Sequence, residues 1–296
     1  MLQVILYSLI GGAVSLVGGL LLVRNKESAK ALAKYATPFA AGVLLAASFG
    51  DLLPEALEST DARPILTAVL AGMLGFFILE RFLRFFHHHH EHKGAEKTPN
   101  SLIIIGDTLH NALDGIAIGA AFLIDVPTGV VASIAVALHE IPQEIGDFGL
   151  LLRNGMEKRK VVLVNVVSAL ATTVTAATTY AIGDSDSAFV PFLLALTAGF
   201  FIYIAASDII PEIHESAPKS QKKQRQDIRP WLLIAGALFI MVLSPIAHDY
   251  IDTRHGHSNE ELRSHAEKDH SEEHHTEEDT HAHEDEDEHQ GDSHAH

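Results

Sequence analysis

An all-α membrane protein of eight transmembrane helices is predicted by three features of the sequence. It has eight long apolar runs, the runs lack strand-like alternation, and the basic residues between them fall on one side. A bilayer core of ~30 Å takes roughly 20 helical residues to cross. A β-barrel would instead need segments of ~10 residues with alternating polarity. The chain has 296 residues, 47% of them hydrophobic, and most connections are short, which leaves room for no sizeable soluble domain.

The first run, Leu2 to Val23, has no basic residue before it, whereas Arg24, Lys26 and Lys30 follow it, so it reads as a retained helix and not a signal peptide. Helix two, Tyr35 to Leu57, ends in DLLPEALES. Helix three, Ile65 to Phe86, runs into HHHHEHKGAEK. Helices four (Ser101 to Ile124) and five (Thr128 to Leu152) are interrupted by ionisable residues. Helix six, Val161 to Ile182, follows Lys158, Arg159 and Lys160, and helix seven, Ala188 to Ile210, ends in DIIPEIHES. Helix eight, Trp231 to Ala247, precedes an acidic tail.

With the amino terminus outside, 17 of the 21 basic residues fall in the odd-to-even connections and helix ends, which should then be cytoplasmic. One helix more or fewer would destroy that pattern. Both termini are therefore expected to be extracytoplasmic, in a cell (plasma or inner) membrane. Residues 249–296 hold 17 acidic against 3 basic residues and carry most of the formal charge of −17. The expected division is a transmembrane bundle at 1–248, with a His-rich cytoplasmic loop at 87–98, and a disordered His/Asp/Glu-rich tail at 249–296. The lipid bilayer is the expected surrounding. Nucleic acid is not an expected partner.

Ionisable groups at the bilayer centre cost about 2.5–3.5 kcal/mol each on insertion scales, so clusters of them need compensation. Helix four places Asp107, His110, Asn111 and Asp114 at i, i+3, i+4 and i+7, on one face. Helix five places His139, Glu140, Gln143, Glu144 and Asp147 at i, i+1, i+4, i+5 and i+8, again on one face. Both sets sit near mid-helix, so neighbouring antiparallel helices would bring them to one depth. With no cysteine in the chain, any metal must be held by nitrogen and oxygen. Imidazole with carboxylate suits Zn2+, Fe2+, Mn2+ or Cd2+, and is too rich in nitrogen for magnesium or calcium. The metal is expected as transported cargo, with no resident cofactor. The expected ligands are His110, Asn111, Asp114, His139, Glu140, Gln143 and Glu144. Interhelical hydrogen bonding and a metal-free proton relay are the alternatives. Pro142 frees a carbonyl within helix five, and Gly115 and Gly119 allow another helix close to helix four.

The segments starting at Asp51 and Asp208 lie 157 residues apart and end helices running in opposite directions, the mark of inverted repeats. Asp51, Glu55, Asp208 and Glu212 are thus expected along the pathway, with Asp107 and Asp147. Capping and solvation are the plainer reading for each of them singly.

HNALDG on helix four and HEIPQEIGDF on helix five, with the eight helices and the His-rich loop, resemble the ZIP (Zrt/Irt-like) family of metal transporters, most of all its LIV-1-type branch. The resemblance covers residues 1 to 248. It implies uptake of divalent metal, foremost zinc, into the cytoplasm, a homodimer, and an elevator-like motion of helices one, four, five and six. It also implies one metal position at His110, Asp114 and residue 143, and an adjacent one at Asn111, Asp114, His139 and Glu140. The chain departs from the branch's HExPHE pattern at Gln143, and Thr172 and Thr173 stand on helix six where some bacterial members have a glutamate. An intramembrane zinc metalloprotease is the rival reading, because HEIPQ and ALDG approach its motifs. Against it, the third zinc-binding histidine is missing, the aspartate motif comes before HEIPQ and not after it, and inverted repeats are not expected in a protease.

The tail is expected to capture metal while its eleven histidines, with reference pKa ~6.5, are neutral. Deleting residues 255–296 should reduce uptake at scarce metal and pH 7.5, and leave the maximal rate intact. Proteoliposome uptake compared across metal concentration at pH 7.5 and 5.5 measures both.

Overall fold

In the computed structural model, residues 1–58, 61–88, 100–184, 187–215 and 227–249 are described, except for the side chains of 82–88, 208 and 212. The segments read as the tail and as most of the His-rich loop (89–98) lie outside the described residues, whereas His87 and His88 continue a helix. The described residues form eight long helices and no strand. They are α1 (Leu2–Arg24), α2 (Lys26–Glu58), α3 (Ala62–His88), α4 (Asn100–Ile124), α5 (Val126–Arg153) and α6 (Lys158–Ile182). Two more follow: α7, made of Val190–Tyr203 and its continuation to Glu215, and α8 (Arg229–Asp249).

Seven of the eight are long and apolar enough to cross a membrane, which makes the chain an all-α polytopic membrane protein. The exception is α5, which is 28 residues long and carries His139, Glu140, Glu144 and Asp147. Its buried residues run along most of its length, so its neighbours supply its apolar surroundings.

Most helices outrun the apolar runs of the sequence, and at the starts of α2 and α5 a polar side chain caps the helix beyond the run. Asn25 accepts from the backbone N–H of Glu27 and Ser28, which starts α2 well before Tyr35. Asp125 accepts from the Thr128 N–H and starts α5 directly after α4 ends. At the start of α8, the Arg229 guanidinium donates to both carboxylate oxygens of Asp227, which holds that carboxyl below the usual carboxylate range.

α2 and α7 each contain a widened turn, at Ser48–Leu52 and Ile204–Ile209. In each, the N–H before a proline reaches back five residues, Leu53 to Ser48 and Ile210 to Ala205. Pro54 and Pro211 have no N–H and crowd the carbonyl four residues back, and widening the turn to π geometry relieves the clash. The two similar sequence segments therefore share an unusual backbone feature as well as residues.

The helices pack in two sets. α1, α4, α5 and α6 contact one another extensively, as do α3 and α7, and α2 touches both sets. Gly115 and Gly119 face α6, where a Cβ on Gly115 would strike the Thr172 carbonyl and the Thr175 hydroxyl. A polar ladder reinforces this contact: Thr175 Oγ1 donates to Ala112 O at 2.9 Å, and Ser168 Oγ to Thr108 Oγ1 at 3.1 Å. On the other side of the bundle, a Cβ on Gly42 of α2 would strike the Leu233 carbonyl of α8. Gly42→Val should force these helices apart at a cost of about 1–3 kcal/mol. A lower melting temperature of the purified protein, followed by size-exclusion fluorescence, is the expected outcome.

Candidate metal centre

Four of the expected ligands meet between α4 and α5. The donor atoms of His110, Asp114, His139 and Glu140 all lie within 4.8 Å of one another. His110 Nε2 is 3.2 Å from Glu140 Oε1 and 3.7 Å from Asp114 Oδ2, and His139 Nε2 is 3.3 Å from Asp114 Oδ2. The two Nε2 atoms face each other at 3.4 Å. One helical turn separates His110 from Asp114, so both project from one face of α4 toward the adjacent pair His139–Glu140 on α5.

The site is oriented from behind. His139 Nδ1 lies 2.9 Å from the carbonyl of Ala135, which can only accept, so Nδ1 carries the proton and Nε2 offers its lone pair to the cluster. Phe76 of α3 and Phe201 of α7 stand edge-on to the rings of His110 and His139, at 5.7 and 5.9 Å between centroids. All four donors thus come from one packing set, and aromatic residues of the other set wall them in.

Asp114 Oδ2 and both carboxylate oxygens of Glu140 are buried and accept no hydrogen bond. Lone pairs converging without donors at this depth carry a large desolvation cost. A divalent cation between them would supply the missing compensation, and two imidazole nitrogens with two carboxylates suit zinc and its neighbours in the first transition row.

The remaining expected residues are placed as follows. Asn111 is buried but turned to α6 and to its own helix: its Oδ1 accepts from Thr172 Oγ1 at 2.8 Å, and its Nδ2 donates to Asp107 Oδ1 at 2.9 Å. The adjacent position implied by resemblance thus has its amide oxygen engaged by a threonine hydroxyl. Gln143 and Asp147 line a cavity of about 600 Å³ that also takes in Asp107, His110 and His139. Its α4 lining runs from Leu102 to His110 and its α5 lining from His139 to Leu150, so it extends from the cluster toward the helix ends expected to be cytoplasmic. Glu144 is buried beside Asp107 and Glu140.

Asp51 is buried and its Oδ1 accepts from Ser244 Oγ of α8 at 2.6 Å, which ties α2 to α8, while its Oδ2 accepts no hydrogen bond. Glu55 belongs to a separate group with Asp125 and His248, whose side chains come within 3.5 Å of each other. Asp208 and Glu212 lie on α7, and their side chains are outside the described residues.

Sequence reasoning missed Asp125 and His248. They sit at helix ends far apart in the chain, and their only signal is that each is an ionisable residue closing an apolar run. It also missed the role of Thr172 as a partner of Asn111, which one hydroxyl among the threonines of α6 does not announce.

A family model described as the ZIP zinc transporter matches residues 1–102 and 91–245. Human zinc transporter ZIP6 is 44% identical over 117 residues, which are 39% of this chain and 16% of that protein. Human zinc transporter ZIP4 is 38% identical over 132 residues, 45% of this chain and 19% of that protein. Zebrafish (Danio rerio) zinc transporter ZIP10 is 37% identical over 122 residues, 41% of this chain and 14% of that protein. The matched stretch spans less than a fifth of each relative's length. With the family model matching most of its helical bundle, the chain belongs to the ZIP zinc transporter family.

Proposed function

We propose that this protein carries a divalent metal ion, foremost zinc, across a membrane into the cytoplasm by alternating access. The ion is held at His110, Asp114, His139 and Glu140, with Gln143 at the cavity wall beside it. The observation that carries this reading is the meeting of two imidazole nitrogens with carboxylate oxygens that have no hydrogen bond, on a pair of membrane helices. Names of relatives point the same way, since those cited are zinc transporters.

The packing supports an elevator-like step, since the donors all sit on α4 and α5 within the set formed with α1 and α6, against a wall formed by α3 and α7. Sliding that set would carry the whole site. The cavity, which lies on the inner side in the expected orientation, supports an inward-facing reading of this arrangement. The paired π turns of α2 and α7 support inverted repeats, and the reading includes eight transmembrane helices, extracytoplasmic termini, a metal-capturing tail after residue 248 and a homodimer.

A hydrolytic role fits the site less well. HExxH chemistry draws two histidines from one helix a turn apart, whereas here residue 143 is Gln and the second imidazole comes from α4.

Asp114→Ala should reduce zinc uptake in proteoliposomes to the level of empty vesicles while the protein stays assembled. Normal uptake would remove Asp114 from the site. Gln143→His should shift relative uptake from manganese and iron toward zinc, because an added imidazole favours zinc over harder ions. Unchanged ratios in a metal-competition panel would take residue 143 out of contact with the ion.

A further inference from the structure

Beside the four-ligand cluster, a second group brings donor atoms of Asp107, Glu140 and Glu144 within 4.8 Å of one another. Its composition differs: it has three carboxylates and no nitrogen. Glu144 is 1% exposed and Glu140 2% exposed, and none of their four carboxylate oxygens accepts a hydrogen bond. Asp107 has one oxygen held by Asn111 Nδ2, which in turn is fixed by Thr172. Among the described residues, no lysine or arginine forms an ion pair with any of the three.

Three neighbouring carboxylates in an apolar bundle, with Glu144 accepting no hydrogen bond and Glu140 facing only the imidazoles of His110 and His139, call for a positive charge between them. Glu144 is one turn beyond Glu140 on α5, and Asp107 is one turn before His110 on α4. Both displacements run toward the end where Asp147 and Leu150 line the cavity. The group therefore lies on the inner side of the imidazole cluster, shares Glu140 with it, and adjoins the cavity through Asp107.

We infer that Asp107, Glu140 and Glu144 form a second divalent-cation position, made of oxygen donors alone and set one helical turn inward of the imidazole cluster. This inference rests on the proposed metal centre and gives its cargo a next step. An ion leaving His110 and His139 keeps Glu140 as a ligand, exchanges nitrogen for oxygen donors, and meets the cavity. An all-oxygen set holds zinc less strongly relative to manganese than an imidazole set does, so the passage eases release of zinc. The same position admits Mn2+ as a bound ion in its own right.

The test uses the full-length protein purified in detergent, with Mn2+ as probe, read by equilibrium dialysis and by pulsed EPR. Imidazole ligands give 14N couplings, and carboxylates give none. The tail and His-rich loop contribute equally in every variant, so the difference from wild type is the readout. Glu144→Gln, and independently Asp107→Asn, should each remove a single Mn2+ without 14N coupling and keep the 14N-coupled ion of the bundle. Asp114→Ala should do the reverse. If both Glu144→Gln and Asp107→Asn, monodisperse on gel filtration, bind as much Mn2+ as wild type, the carboxylates hold protons only and the second position is overturned. If either variant loses the 14N-coupled ion as well, the two groups are one site and the inference is again overturned. Failure of Asp114→Ala to lose the 14N-coupled ion would instead strike the imidazole centre itself.

Discussion

Carboxylates buried without hydrogen-bond donors in an apolar bundle set the terms for the helices around them. Asp114, Glu140 and Glu144 have buried oxygens that accept no hydrogen bond, and of their helices α4 is long and apolar enough to cross a membrane whereas α5 is enclosed by its neighbours. Such groups need a compensating positive charge, and with the imidazoles of His110 and His139 beside them the donor set is one that suits a metal accepting nitrogen ligands. The burial of α5 follows from the same constraint. A helix with that many ionisable residues would be poorly tolerated facing lipid, and here α1, α2, α4 and α6 pack against it.

Precise placement of the donors depends on close helix contact. Gly115 lets α6 approach α4 until backbone and hydroxyl groups touch, and the Ser168, Thr172 and Thr175 side chains then hydrogen-bond across the contact. The result is a closely packed set that carries the four-residue cluster, to which the other set contributes aromatic rings alone. A site owned by one set and walled by the other can move as a unit, which is the physical content of the transport reading.

Much of this was legible in the sequence, for definable reasons. Helical spacing brought His110 and Asp114 to one face and His139 and Glu140 to another, and the short connection between α4 and α5 made them neighbours. Apolar runs marked all eight helices but not their ends, because Asn25 and Asp125 cap helices in polar sequence that hydropathy cannot see. Side-chain direction was less legible. Asn111 shares the polar face of α4, yet its amide donates to Asp107 on the same helix and accepts from Thr172 of α6, a partner 61 residues away. The Asp51 partner, Ser244, lies 193 residues on and is equally invisible to local spacing. Local spacing predicts which residues share a face, and tertiary packing decides which of them point into the site.

The central claim is that a transported divalent ion rests between His110, Asp114, His139 and Glu140. The most direct measurement is anomalous scattering at the zinc edge from crystals of the zinc-loaded protein. A peak bonded to both Nε2 atoms and to carboxylate oxygens of Asp114 and Glu140 is the predicted result. Strong zinc density elsewhere, as at Glu55, Asp125 and His248, with none between α4 and α5, would contradict the account.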